Sequence, residues 1–325
     1  MATNDYWQKR LENERKWIEQ NLTNDAKINA KLQTYYDRAL REINNEIDAE
    51  YSKYAGYSGT TKRAAMRRVA ANDVKAYETR AQQIVEEANE IRKKNGAVKY
   101  SDFSKDVNDR LKLYNATMRI NRLEMLKSKV GLELTEAGMQ INSELADKLA
   151  DGYQNEIERQ AGILGEYVGA AKAKDVFKIV MAQTANSTFS DRIWVNQDVL
   201  KAKLDQVISR AVIQGKNPRV IARDLKGLVN TTVKNQRYVT ERIARSEMAR
   251  VQDQAQMDSF KKNGYQYCKW IAEPSACKIC SNIASETSIL SAETGVFSLD
   301  DVPVIPAHAN CRCSKVAWYK ANFDN

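Results

Sequence analysis

The sequence predicts a mainly α-helical protein: long N-terminal helices, packed as a bundle or drawn out as an arm, then a helical segment and a small C-terminal α+β module rich in cysteine. Three observations lead there. Helix-forming residues dominate the 325-residue chain, and there are only 4 prolines, none before Pro218. Apolar residues recur at steps of three and four over long stretches, which is the spacing of one helix face. Beyond Gly264 the pattern changes to short aromatic and β-branched runs between turns, the signature of strands.

Taken in order, Ile28, Leu32, Tyr35, Ala39, Ile43, Ile47, Tyr51 and Tyr54 form the stripe of a first helix, stopped by Gly56 and Gly59. A second helix is expected over residues 61–94, ending at Asn95-Gly96, a third over 104–129, ending at Gly131, and a fourth over 135–161. Tyr6, Trp7 and Trp17 are either core residues or a docking anchor, because large aromatics serve both purposes. The pattern loosens over residues 165–195, so the expected division is a long-helix region 1–164, a boundary region 165–195 and a domain 196–325. Within that domain, helices are expected over 196–263 and a small module over 264–319. Leu200, Leu204, Val207, Ile208, Ala211 and Val212 mark a helix closed by Gly215, and Asn217-Pro218 opens a short one that stops near Leu228. A further helix, over residues 233–262, carries the stripe Ala244, Met248, Val251 and Ala255; strands are expected at 265–272 and 315–319.

Composition excludes several classes. No segment approaches the roughly 18 uncharged apolar residues of a membrane span, and the best candidate, residues 176–182, is interrupted by Lys178. The first residues lack the apolar core of a signal peptide, so synthesis in a reducing cytoplasm is expected, where cysteines are thiols or metal ligands rather than disulfides. Net charge is +9, and residues 201–262 hold fourteen Lys or Arg against six Asp or Glu. Such a block attracts phosphate, anionic lipid or an acidic protein surface, or is simply a solvated face. Its candidate contact residues are Lys201, Lys203, Arg210, Arg219, Arg223, Lys234, Arg237, Arg242 and Arg245.

The most informative constellation is Cys277-Lys-Ile-Cys280, answered by His308-Ala-Asn-Cys311-Arg-Cys313, in which His308 is the single histidine of the chain. Two short-spaced pairs of thiolate and imidazole donors suit tetrahedral zinc. About 60 residues with a few short strands bury too little apolar surface to hold their shape unaided, so a structural zinc would supply the missing stability. The expected ligands are Cys277, Cys280, His308 and Cys311, with Cys313 as the alternative fourth and Cys268 a bystander. Unligated buried thiols, or a disulfide formed after release from the cell, are the competing readings. A catalytic zinc would need an open position and a general base, and nothing points to either.

Ile243-Ala-Arg-Ser-Glu247, Tyr267-Cys-Lys-Trp270-Ile-Ala, the Cys277/Cys280 pair and Pro306-Ala-His308-Ala-Asn310-Cys311-Arg312-Cys313, in this order and spacing, resemble the phage Mu F-like minor head protein family, also called the phage head morphogenesis family. The resemblance covers about residues 200–318. Glu273 stands where an Asp is usual before the first cysteine, Ser246 replaces a Thr, and Ala309 a Pro; the possible metal ligands are untouched. The resemblance implies a structural component of the phage head rather than an enzyme, made in the bacterial host cytoplasm. It also implies a place near the portal, with the portal protein as partner, contact with packaged double-stranded DNA and with scaffold or major capsid protein, and neither membrane nor small-molecule substrate. The alternative is a zinc-containing nucleic-acid-binding protein or HNH-like nuclease, against which stands a lone histidine that cannot serve as both metal ligand and general base. A transferase-like use of Arg242, Arg245 and Glu247 competes with ordinary ion pairing, Glu241 to Arg245 and Glu247 to Arg250, and no fused toxin domain is expected after Cys313.

Overall fold

A computed structural model describes residues 2–55, 71–95, 122–165, 173–213, 218–287 and 293–319. The chain is mainly helical, with a small strand-containing region near its C-terminus. In chain order the helices are α1 (Ala2–Ala55), α2 (Ala71–Asn95), α3 (Arg122–Leu164), α4 (Ala173–Val180), α5 (Phe189–Ile213), α6 (Pro218–Lys262) and α7 (Lys278–Ser285). Strands β1 (Tyr267–Ile271), β2 (Val296–Ser298) and β3 (Ser314–Trp318) form one antiparallel sheet in the order β2-β1-β3.

Two of the expected helix ends do not occur. The helices expected at 104–129 and 135–161 are, from Arg122 onward, the single helix α3, which passes through Gly131 and Gly138. A glycine costs a helix only about 1 kcal/mol, and here Val130, Leu132, Leu134, Ala137 and Met139 are buried around the two glycines. Gly138 has a packing reason besides: a Cβ there would lie 3.0 Å from the Trp194 ring. Likewise the break expected near Leu228 is absent, and α6 runs unbroken. Leu225, Val229 and Val233 continue one buried stripe across it, while the Thr231 and Thr232 hydroxyls donate back to the Gly227 and Leu228 carbonyls. Residues 61–70, 104–121, Gly56, Gly59, Gly215 and Asn217 lie outside the described residues.

The helices and strands group into two compact units that interleave along the sequence instead of following the division at 165–195. One unit comprises Lys31–Glu144 and Ser190–Thr240. It is a packed set of helices, which decides for this unit between bundle and extended arm. Tyr77, Ala81, Ile84 and Ala88 of α2, at helical spacing, pack with Met125, Leu132 and Met139 of α3 and Trp194 of α5. On α1 the buried stripe is Leu32, Tyr36, Ala39, Ile43 and Ile47; Tyr36 rather than Tyr35 faces inward. Its hydroxyl lies 2.6 Å from that of Thr240 on α6 and accepts from Gln197 on α5 at 3.0 Å. Ion pairs run along the helices, among them Lys129 to Glu46 at 2.6 Å and Arg38 to Glu136 at 2.9 Å.

The other unit comprises Met1–Ala30, Leu145–Phe189 and Glu241–Asn325. Its sheet is covered on both faces, as period-two alternation demands of a strand buried on both sides. Cys268 and Trp270 of β1 with Ala317 of β3 join Ala249 and Phe260 of α6 in one core. Ile271, Val316 and Trp318 turn the opposite way and pack on Leu11 and Ile18 of α1, with Val296 of β2. The small module expected at 264–319, which buries too little apolar surface to hold its shape unaided, is therefore supported by two helices as well. Lys315, 1% exposed, pairs with Asp253 of α6 at 2.8 Å, and Asp253 also accepts the Ile305 amide at 3.2 Å. Trp17 is half-buried beneath the Arg159 guanidinium, 4.7 Å from its ring centre, so it packs within this unit. The side chains of Tyr6 and Trp7 lie outside the described part.

Candidate metal centre

Local sequence puts the first thiol pair at the start of a helix. Cys277 is extended and caps α7, its carbonyl accepting the Ser281 amide at 2.9 Å, so Cys280 falls in the first turn on the same side. The second group lies on the stretch that enters β3. There the Cys311 amide donates to the His308 carbonyl at 3.1 Å, closing a turn with Asn310 in the left-handed region at φ 70°. Asparagine tolerates that conformation better than other side chains with a Cβ.

These two local structures bring five donors together. The sulfurs of Cys277 and Cys280 each lie 3.1 Å from His308 Nε2, and those of Cys280 and Cys311 are 3.6 Å apart. Two overlapping triads result, Cys277/Cys280/His308 and Cys280/Cys311/Cys313, sharing Cys280. Cys268, on β1, belongs to neither. Tetrahedral zinc with Zn–S near 2.3 Å and Zn–N near 2.0 Å sets sulfur–sulfur spacings of about 3.8 Å and sulfur–nitrogen spacings of about 3.5 Å. Each triad could hold such an ion by three donors, but Cys311 groups with Cys280 and Cys313 and not with the whole of Cys277, Cys280 and His308, so the four expected ligands do not form a single cluster. His308 Nδ1 lies 2.8 Å from the Ala309 carbonyl, which can only accept. The proton is thereby fixed on Nδ1, and Nε2 presents its lone pair toward the sulfurs, the arrangement expected of a ligating imidazole. Burial pushes the Cys280 thiol up to about 12, whereas Cys311 is brought down to about 5, chiefly by the hydrogen bond from Cys313. Cys313 is raised in turn by that same contact. Cys311 and Cys313 are thus shifted in opposite directions by their shared contact.

The Arg-Ser-Glu run on α6 turns out to support this loop. Arg245 pairs with Glu273 at 2.7 Å, not with Glu241, and the other Glu273 oxygen accepts the Arg312 amide at 3.2 Å. Ser246 Oγ accepts the Asn310 amide at 3.0 Å. Glu247 pairs with Arg250 at 2.7 Å, and Arg250 in turn donates to the Ile179 and Val180 carbonyls at the end of α4. Glu247, Glu273 and Arg312 are all buried. Sequence spacing alone could not separate Glu273 from Glu241 as the partner of Arg245, because Glu241 is four residues away on the same helix and Glu273 arrives only by folding.

Of the basic contact candidates, Lys201, Lys203, Arg210, Arg219, Arg223, Lys234 and Arg237 belong to the helical unit and Arg242 and Arg245 to the other. Lys203, Arg210, Arg219, Arg223, Lys234 and Arg242 are exposed, Arg237 is half-buried, and Lys201 pairs with Asp205 one turn away. Arg219, Arg223, Lys234 and Arg237 are spaced to share one side of α6.

Residues 202–316 match the family described as phage Mu protein F like protein. The chain carries a phage Mu F-like domain. The matched segment includes both thiol pairs, His308 and the supporting Arg245, Ser246 and Glu273. No curated protein and no solved structure gives a significant match to the chain. Among the described residues, no helix is long and apolar enough to cross a membrane.

Proposed function

We propose that this Mu F-like protein is a structural component of the phage head that acts at the portal in head morphogenesis and in DNA packaging or delivery, with one structural zinc ion in its Cys/His centre. The observation that carries the reading is the family match across 202–316 together with the two triads inside it, Cys277/Cys280/His308 and Cys280/Cys311/Cys313, which share Cys280. Zinc held there would cross-link α7 to the stretch leading into β3 and contribute folding free energy directly. A nuclease-like use of His308 is disfavoured because its two ring nitrogens are committed, one to the Ala309 carbonyl and one to the sulfurs. The exposed cations along α6 offer phosphate or acidic-surface contacts of the non-specific, salt-dependent kind.

Two measurements test this. Purified, reduced protein is expected to hold one zinc per chain and to melt at lower temperature in a strong chelator; metal-free protein with an unchanged melt defeats the zinc assignment. Tagged protein is expected to retain the portal protein of its own phage at moderate salt, and failure to do so defeats the portal assignment. His308→Ala is expected to lower the melting temperature, whereas a folded, stable variant lacking a nuclease activity of the wild type would favour the enzyme instead.

A further inference from the structure

Arg312 lies between the two last cysteines of the centre and is almost entirely buried, at 3% exposure. Every direction it could take is committed. Its Nε and Nη2 donate to the two oxygens of Asp25 on α1 at 2.9 and 3.0 Å, a bidentate pair. Its Nη1 donates to Gln252 of α6, whose amide donates to Asn21 of α1 at 3.2 Å. Its own backbone amide is held by Glu273. Asp25 is itself only 5% exposed, so water cannot replace either partner. A bidentate guanidinium–carboxylate pair fixes angle as well as distance, and breaking one that is buried leaves an uncompensated charge. The backbone of Cys311 and Cys313 is therefore clamped from α1, by a residue 287 positions away in the chain.

We infer that Asp25 is a positioning residue for the metal centre: through Arg312 it sets where Cys311 and Cys313 stand, and so couples the docking of the first part of α1 to metal binding. The inference rests on the zinc reading above. Coupling of this kind is reciprocal. If α1 helps hold the ligands, a bound ion must hold α1 in equal measure, and residues 11–25 should loosen when it is withdrawn.

The test uses the full-length protein loaded with zinc. A chromogenic chelator measures zinc release, and hydrogen exchange measures amide protection over residues 11–25 with and without the metal. Removing an outer partner of a metal ligand typically weakens binding 10–100-fold, so Asp25→Asn is expected to speed release by about 10-fold. Asp25→Asn combined with Arg312→Gln should be no faster than Arg312→Gln alone, which a separate structural role for Asp25 would not produce. Asp48→Asn, which breaks the α1 pair with Lys226, should release zinc at the wild-type rate. Wild-type release from Asp25→Asn, or additive effects in the double variant, overturns the inference. So does unchanged protection of 11–25 on zinc removal, a measurement on wild type that stands even where Asp25→Asn fails to fold. A wild-type protein without stoichiometric zinc defeats the metal reading itself and takes this coupling with it, an outcome distinct from the others.

Discussion

Glycines on the long helices illustrate how one residue type takes opposite meanings from its surroundings. A Cβ added at Gly227 meets nothing within 4 Å, whereas one at Gly138 comes 3.0–3.2 Å from the Trp194 ring and the Gln197 side chain. Gly227→Ala should therefore stabilise the protein by about 0.5–1 kcal/mol, by removing backbone freedom from the unfolded chain. Gly138→Ala should destabilise it by about 1–3 kcal/mol through overpacking. Urea unfolding midpoints moving in opposite directions would bear this out; two shifts of the same sign would not. Arg245 gives a second case. It is a basic residue on a helix that looks suited to an external anion, yet its charge is used against buried Glu273. Arg245→Ala leaves that carboxylate without its charged donor and should cost about 2 kcal/mol, seen as a lower melting temperature.

At the level of elements, the sheet shows what the first helix is for. Among the described residues, Val316 and Trp318 on β3 and Ile271 on β1 pack in one apolar cluster with Leu11 and Ile18 of α1. Three short strands of this size are marginal unless a helix covers their face. Ile18 is 1% exposed, so Ile18→Ala should cost about 2–5 kcal/mol by transfer and cavity terms. The loss should appear as faster hydrogen exchange in β1 and β3, not only in α1 where the substitution lies. Exchange confined to α1 would mean that the sheet is held chiefly from its other face, by Phe260, Trp270 and the cysteine loops. The helix α6 has a comparable double duty: its stripe of Ala244, Met248, Val251 and Ala255 is buried as the spacing predicts, and its polar positions Gln252, Asp253 and Gln256 reach Arg312, Lys315 and Ser314.

For the whole molecule, the interleaving of the two units means that the C-terminal module is not a detachable piece. Residues 264–319 made alone would carry the complete donor set but lack Asp25, Glu14 and the apolar face of α1, with Arg312 left unpaired. Such a fragment is expected to remain without fixed tertiary structure even with equimolar zinc, as read by dispersion in its amide NMR spectrum. A fragment that folds on adding zinc would show that the metal alone suffices and that α1 is an accessory.

The helical class, the strands near Tyr267 and Ser314, the gathering of cysteines with one histidine, and the family resemblance that the match over 202–316 bears out are all legible in the residues alone. All of these depend on local periodicity or on short spacings between chemically distinctive residues, which are written directly in the chain. Tertiary structure alone decided that α3 and α6 run through their glycines, that Glu273 rather than Glu241 answers Arg245, and that Asp25 secures Arg312. Those outcomes turn on burial and on pairings between residues far apart in sequence. Candidate partners of similar chemistry are numerous among 42 acidic and 51 basic residues, and only the packed fold selects among them.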